Sequence, residues 1–308
     1  MRRFLIDTDT ASDDAVALVL ALRDPAVQVE AITVVAGNVP LDQGVQNALY
    51  TVELCGASTP VHAGAERPLQ RPLETAVQVH GADGMGDIGL PLGGREPASD
   101  DAVTVLIDTI ERCRGELTLV TLGPLTNIAL ALQRQPSIAT GVRACYVMGG
   151  VGQGRGNTTP VAEYNLWTDP EAAKIVFASG LPIHMIGWDI AHGYAHFTAE
   201  QAGALRRVGT PLAEFCVDIQ ATVTEFSHGL TGVAGFTLPD PTAMAVALDP
   251  SIATDVRRLH VEVEDTSELC RGQTVVDHVG VTGQRPNIDV VLEIDRERFV
   301  DLLRRSVS

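Results

Sequence analysis

Short apolar and β-branched runs alternate with longer stretches of helical periodicity along this chain, and no other feature limits its possible folds so strongly. Phe4–Ile6 reads as a strand, and the stretch from about Asp13 to Leu22 as a helix. Val29–Val35 is the next strand, followed by a helix over Asp42–Leu54. Leu117–Leu122 is a strand feeding the helical Pro124–Leu132, with proline at a helix start, where its missing N–H is harmless. Ala144–Met148, Pro170–Ala178 and Ile183–Ile186 continue the alternation. Such βαβ repetition predicts an α/β fold with a mostly parallel central sheet covered by helices. From Leu259 onward the strand-like runs Leu259–Val263, Thr274–Val276 and Asp289–Ile294 crowd together, which predicts an antiparallel C-terminal edge. No repeat, low-complexity tract or linker divides residues 1–308, so one domain is expected. The longest irregular segments, Gly64–Asp100 and Gly149–Asp169, are rich in glycine and polar residues, and loops of that length in a compact domain usually carry function.

With 39 acidic against 22 basic residues the formal net charge is −17, and Lys174 is the only lysine. A surface of that sign repels phosphate backbones and anionic lipids, which argues against nucleic acid and membrane surfaces as partners. Cys55, Cys113, Cys145, Cys216 and Cys270 are scattered among apolar neighbours with no CxxC pair. Buried free thiols in a reducing compartment are expected. The N-terminus meets an acid at its seventh residue, so no secretory core fits, and no apolar run approaches a membrane span. The expected location is cytoplasmic.

The acids cluster where they matter. Phe4-Leu5-Ile6-Asp7-Thr8-Asp9-Thr10-Ala11-Ser12-Asp13-Asp14 places four carboxylates within eight residues, at the C-terminal end of the first strand and the opening of a helix. In open α/β sheets that edge is where ligands bind. Four anions so close repel unless some are protonated or a cation sits among them, and a hard divalent ion such as Ca²⁺ or Mg²⁺ prefers oxygen ligands. A purely structural reading makes Asp13 a helix N-cap and Asp14 a first-turn charge, but leaves Asp7 and Asp9 unexplained. Haloacid-dehalogenase-type phosphatases also carry Asp-x-Asp after the first strand. Thr121 and Lys174 could complete such a site, yet Lys174 lies inside a helical pattern and no acidic pair follows a strand after it.

Asp7-Thr8-Asp9 with Asp13-Asp14-Ala15 resembles the N-terminal signature of the inosine–uridine preferring nucleoside hydrolases. Further matches follow in family order: Val35-Ala36-Gly37-Asn38, His80-Gly81-Ala82-Asp83-Gly84, and Gly123-Pro124-Leu125-Thr126-Asn127-Ile128-Ala129. Met148-Gly149-Gly150 then leads to Gly156-Asn157-Thr158-Thr159-Pro160-Val161-Ala162-Glu163-Tyr164-Asn165 and to Asp169-Pro170-Glu171-Ala172-Ala173. The resemblance implies calcium-dependent hydrolysis of the N-glycosidic bond of ribonucleosides by direct water attack. It makes Asp9 both a calcium ligand and the general base, with Asp14, Asp240 and the Leu122 carbonyl as further ligands. Asp13, Asn165 and Asp240 would hold the ribose 2′- and 3′-hydroxyls, and Asn157 and Glu163 the 5′-hydroxyl. Asn38 would orient Asp9 and the water, and Asp7 would support the site from behind. Family precedent also implies a homodimer or homotetramer.

Two positions depart from the family. Asp9-Thr10-Ala11 replaces the usual Asp-Pro-Gly turn. In Leu238-Pro239-Asp240-Pro241 a proline stands where the best-studied members carry the histidine that activates the departing base, and proline has no side-chain donor. His80 and His228 are the candidate replacements, with His228 favoured because the helical Pro211–His228 stretch leads towards Asp240. His62, His184 and His260 sit in strand-like runs and read as structural. Gly149-Gly150-Val151-Gly152-Gln153-Gly154 is not followed at once by a helix pattern, so it reads as a flexible active-site loop rather than a dinucleotide fingerprint. The alternative from another class is a non-catalytic nucleoside binder that kept the sugar site and lost turnover.

Overall fold

The computed structural model describes residues 1–232 and 234–308. The chain opens with β1 (Arg2–Thr8), α1 (Ser12–Arg23), β2 (Val27–Val34), α2 (Leu41–Leu54), β3 (Val61–Ala63), α3 (Val77–His80) and α4 (Ala102–Arg112). It continues through β4 (Leu117–Thr121), α5 (Thr126–Arg134), β5 (Val142–Met148), α6 (Tyr164–Thr168), α7 (Pro170–Ala178), β6 (Ile183–Ile186), α8 (Trp188–Tyr194) and β7 (His196–Thr198). The last part is α9 (Ala199–Arg206), α10 (Pro211–Asp218), α11 (Ala221–Thr231), β8 (Gly235–Thr237), α12 (Pro239–Leu248), β9 (Ala253–Val263), β10 (Thr274–Asp277), β11 (Ile288–Ile294) and α13 (Arg296–Ser306).

Nine strands form one sheet in the order β10-β9-β11-β6-β5-β4-β1-β2-β3, and β7 with β8 makes a separate two-stranded ribbon. From β3 across to β11 every neighbouring pair is parallel. Only β9, against β11 and β10, runs antiparallel, which is the C-terminal edge expected from the sequence. The chain winds outward from β1 to β2 and β3, then returns beside β1 as β4 and winds the other way. The switch point therefore lies between β1 and β4, and a crevice opens beyond their C-terminal ends.

β1 shows why its sequence is an apolar run. Phe4 and Ile6 join the core on one face of the sheet, and Leu5 joins the core on the other. A parallel strand covered by helices on both faces has no wet side, so apolar residues need not alternate with polar ones. α1 and α12 pack against one another, and α12 is buried along its whole length. Residues 12–21 of α1 are buried too, which accounts for a helix apolar on every face. Burying each large apolar side chain contributes roughly 1.5–3 kcal/mol, and this packing fixes where both helix N-termini point.

Several boundaries differ from expectation. The N-cap of α1 is Ala11, so Asp13 lies inside the first turn rather than capping it. Pro124 stands two residues ahead of α5 instead of opening it. The Pro211–His228 stretch is not one helix: it breaks at Ile219-Gln220 into α10 and α11. Of the cysteines, all free, Cys113, Cys145 and Cys216 are buried while Cys55 and Cys270 are half-exposed. Among the described residues no helix is long and apolar enough to cross a membrane.

Candidate active site

The switch point collects the acids. Asp7 is the penultimate residue of β1, in register with Thr33 of β2 and Thr121 of β4. The chain then turns at Asp9-Thr10-Ala11 into α1. Ala11 has no capping side chain, and Asp14 reaches back to supply what is missing, accepting the Ala11 N–H at 2.9 Å through Oδ2. Its Oδ1 accepts the Thr8 hydroxyl at 2.6 Å. Asp240 arrives from the first turn of α12, where Pro239 occupies the opening position that needs no N–H donor. Two helix N-termini thus bring their carboxylates together, as the helix dipole favours.

One carboxylate oxygen from each of Asp13, Asp14 and Asp240 lies within 4.8 Å of the others, and all three side chains are buried. Among the described residues no lysine or arginine pairs with them; the nearest basic group is His80, 3.7 Å from Asp13 Oδ1. Burial, then mutual repulsion, drives the carboxyls upward. Asp14 is pushed up to about 6, and Asp13 to about 6 chiefly by burial. Asp9 and Asp240 are raised further by burial and by their acidic neighbours. Oδ1 of Asp9 and Oδ1 of Asp13 are sealed from solvent and accept no hydrogen bond. A buried, all-oxygen, anionic donor set with unfilled lone pairs fits a hard divalent cation.

Asp9 sits in a cradle of absent side chains. Its Oδ2 accepts the Asn38 backbone N–H at 2.6 Å. A Cβ on Gly37 would lie 2.1 Å from that oxygen, and one on Gly123 would lie 2.7 Å from Oδ1. Behind it, Asp7 Oδ1 accepts the Thr33 hydroxyl at 2.5 Å and the Asn127 amide at 2.9 Å. Burial pushes the Asp7 carboxyl up to about 7 in spite of those bonds. Asn38 therefore touches Asp9 through its backbone, and Asp7 lies behind Asp9, bonded to Thr33 and Asn127.

The opposite wall is α6 and the turn before it. Glu163 caps α6, taking the Asn165 N–H at 2.7 Å and the Leu166 N–H at 3.3 Å, and also holds the Gly150 N–H at 2.9 Å. Burial still raises its carboxyl to about 7. Asn165 donates its side-chain amide to the Leu122 carbonyl at 2.6 Å, joining α6 to the end of β4. Asn157 is exposed, and its Oδ1 accepts the Tyr164 N–H at 3.0 Å.

The histidines separate. His80 ends α3, is buried, and places Nδ1 2.9 Å from Ser12 Oγ beside Asp13. His228 lies on an exposed face of α11, so the slight sequence preference for it is not supported by its position. His62 bonds Ser99 at 2.8 Å and His184 stacks on Tyr146 at 4.8 Å, both structural roles. His260 bonds Glu262 at 2.9 Å on β9. Lys174 is an exposed partner of Asp265, at 2.6 Å, on the outside of α7, which removes the lysine a phosphatase site would need.

Three residues at the site went unnoticed in the sequence. Ser12 had no motif of its own beside the acids. Gln220, fully buried, donates to the Ser12 carbonyl at 3.0 Å, and only the unforeseen break between α10 and α11 brings it there. Tyr164, whose hydroxyl donates to the Glu74 carbonyl at 2.8 Å, lay between Glu163 and Asn165 and could have been inferred from them.

The sequence matches the family described as inosine-uridine preferring nucleoside hydrolase over residues 4–301. It is 40% identical over 301 residues to the pyrimidine-specific ribonucleoside hydrolase RihA of Salmonella schwarzengrund, covering 97% of this chain and 96% of that protein. RihA of Citrobacter koseri is 39% identical over 306 residues, covering 99% and 97%. A solved plant nucleoside hydrolase superposes with a TM-score of 0.93 at 32% identity, covering 99% of this chain and 98% of its own. An inosine-guanosine nucleoside hydrolase gives 0.91 at 31% identity, covering 100% and 99%. Similarity of this kind over the whole chain shows that it belongs to the inosine-uridine preferring nucleoside hydrolase family of enzymes.

Proposed function

We propose that this enzyme hydrolyses the N-glycosidic bond of ribonucleosides with the help of one calcium ion, releasing free base and ribose. The observation that carries the reading is the buried group Asp9, Asp13, Asp14 and Asp240, which among the described residues pairs with no basic side chain but His80 and keeps two sealed carboxylate oxygens without partners. Asp9, Asp14, Asp240 and the Leu122 carbonyl are the ligands we assign to calcium. Bound there, calcium neutralises the cluster and acidifies water.

Asp9 acts as general base. Its Oδ2 is pinned by Asn38 while Oδ1 stays free to take a proton. Asp13, Asp240 and Asn165 hold the ribose 2′- and 3′-hydroxyls, and Asn157 and Glu163 hold the 5′-hydroxyl. Bond breaking builds positive charge on the ribose ring, and an anionic pocket stabilises that charge more than it stabilises the neutral substrate. Water attacks directly, so no covalent intermediate forms and the anomeric carbon inverts. To His80, 3.7 Å from Asp13, we assign the part of helping the base leave.

Relatives at 39–40% identity are named pyrimidine-specific, and one solved relative at 31% identity is described as acting on inosine and guanosine. The test is incubation with uridine, cytidine, inosine and guanosine, with chromatography for free base and ribose. Base release that chelation abolishes and calcium restores is expected, with uridine and cytidine preferred. Tight binding of a nucleoside without release of base would make the chain a binder, and activity indifferent to chelation would remove the metal.

A further inference from the structure

Pro239 leaves the hydrolase without a hydrogen-bond donor on the α12 side of the departing base. We infer that Ser12 positions His80 to fill that gap, its hydroxyl fixing the imidazole in the form whose Nε2–H points to the nucleobase. The inference rests on the hydrolase reading above and adds to it a positioning residue.

Ser12 Oγ and His80 Nδ1 are 2.9 Å apart, and either could in principle donate. Satisfaction of the serine decides. Among the described residues, His80 Nδ1 is the sole partner of the Ser12 hydroxyl, which therefore has one acceptor for its hydrogen. If Ser12 donates, both atoms are satisfied. If Nδ1 donates instead, the serine hydrogen in a buried first turn has nowhere to go, and a buried donor left unpaired is costly. Nδ1 is thus the acceptor, and a neutral imidazole then carries its proton on Nε2. Burial keeps His80 neutral at working pH by pulling it down to about 4.

The rest of the surroundings hold this pair in place. Gln220 donates to the Ser12 carbonyl at 3.0 Å and so ties the first turn of α1 to the α10–α11 corner. The His80 backbone is bonded on both sides, its N–H to the Ala76 carbonyl at 3.1 Å and its carbonyl from the Gly86 N–H at 2.9 Å. Nε2 has no protein partner among the described residues, and unlike Nε2 of His196 it is not sealed, so it opens onto accessible space. Position agrees with role. Asp13 is one of the three residues assigned to the ribose 2′- and 3′-hydroxyls, and C1′, which carries the base, adjoins C2′. The His80 ring, 3.7 Å from Asp13 Oδ1, thus stands beside the sugar hydroxyl subsite, within reach of a base on C1′.

In the step itself the water oxygen bonds to C1′, the C1′–N bond breaks, and its electron pair goes to the base. The water proton goes to Asp9. Nε2–H keeps its proton and donates a hydrogen bond to the base as negative charge develops there. The base then takes a proton from solvent, and Asp9 returns its own.

The test compares uridine with p-nitrophenyl riboside, whose leaving group departs without such help. Ser12→Ala should lower kcat on uridine about tenfold or more while the aryl riboside rate changes far less, and Ser12→Thr should restore the ratio. A purely structural serine would slow both substrates alike, and an unchanged ratio in Ser12→Ala overturns the inference. Folding of the variant need not be relied on. In wild-type protein labelled with ¹⁵N-histidine, the His80 signals, assigned by their loss in His80→Gln, should show a protonated Nε2 and an unprotonated Nδ1. The opposite tautomer refutes the role of Ser12 even if the enzyme is active. Failure of wild-type protein to cleave either substrate would instead defeat the hydrolase reading, and the tautomer measurement would still judge Ser12.

Discussion

Gly37→Ala adds one methyl group, and the structure says where it goes. The new Cβ would stand 2.1 Å from Asp9 Oδ2 and 2.8 Å from Asp9 Cβ and Cγ. Carbon and oxygen in contact need more than about 3 Å, so the carboxylate must retreat by about 1 Å. The glycine is not in the left-handed region, so the effect is steric and not a matter of backbone strain. Retreat of that size breaks the 2.6 Å bond from the Asn38 N–H and misaims the free oxygen. Misplacing a reacting group by 1 Å lowers a rate by about 10²-fold, or about 2.7 kcal/mol in the barrier. Crowding a tight interior also destabilises by about 1–3 kcal/mol, so a modest fall in melting temperature should accompany the loss of turnover. Steady-state kinetics on uridine and p-nitrophenyl riboside, beside a thermal melt, make the measurement. Both substrates should slow equally, because the general base serves both. Gly193→Ala, where an added Cβ meets nothing within 4 Å, is the control. A Gly37→Ala enzyme with kcat within threefold of the parent would refute the assignment of Asp9 as a base held rigid by its cradle.

Three more predictions follow from the same geometry. Freed of metal, the protein should be more stable near pH 5 than near pH 8: Asp7, Asp13, Asp14 and Glu163 are raised to about 6–7 and so bind more protons folded than unfolded, and stability falls as pH rises through that window. His80, lowered to about 4, gives the opposite slope, but its effect ends near its ordinary 6.5; denaturant titrations with and without calcium should show the decline and its removal by the ion, and a flat metal-free profile would contradict it. Glu163→Gln should weaken uridine more than 5′-deoxyuridine, and equal loss on both would take Glu163 off the 5′-hydroxyl. Arg271→Met removes bonds to the Trp167 carbonyl at 2.7 Å and to Glu74 at 3.2 Å, so hydrogen exchange over residues 71–80 should quicken and KM rise several-fold; unchanged exchange would show that the arginine does not hold that segment.

The alternation of strands and helices was legible because the central parallel strands are buried on both faces and so carry consecutive apolar residues, as in Phe4–Ile6 of β1 and Leu119-Val120 of β4. The acids at the end of β1 were legible because they are contiguous. Ala11 misled on the helix start: the bond that fixes it runs backward from Asp14, a contact no propensity at position 11 reveals. The break after Asp218 was hidden since Pro211–His228 keeps helical periodicity through the corner, and with it Gln220 escaped notice. His228 looked apt by proximity in sequence to Asp240, whereas His80 reaches the cluster across the fold and is placed there by tertiary packing alone.

Asn38 uses both of its backbone groups on the site's behalf. Its N–H holds Asp9, and its carbonyl accepts the Ala76 N–H at 2.9 Å, one residue before the helix that ends in His80. An outward swing of residues 76–80 would pull on Asn38 and so loosen its hold on the Asp9 carboxylate. If Asp9 and His80 have the roles proposed for them, the base and the leaving-group donor would come into alignment together, with the segment seated. Such an arrangement would set an order of events: capture would precede competence, and an open enzyme would hold no aligned base with which to squander water.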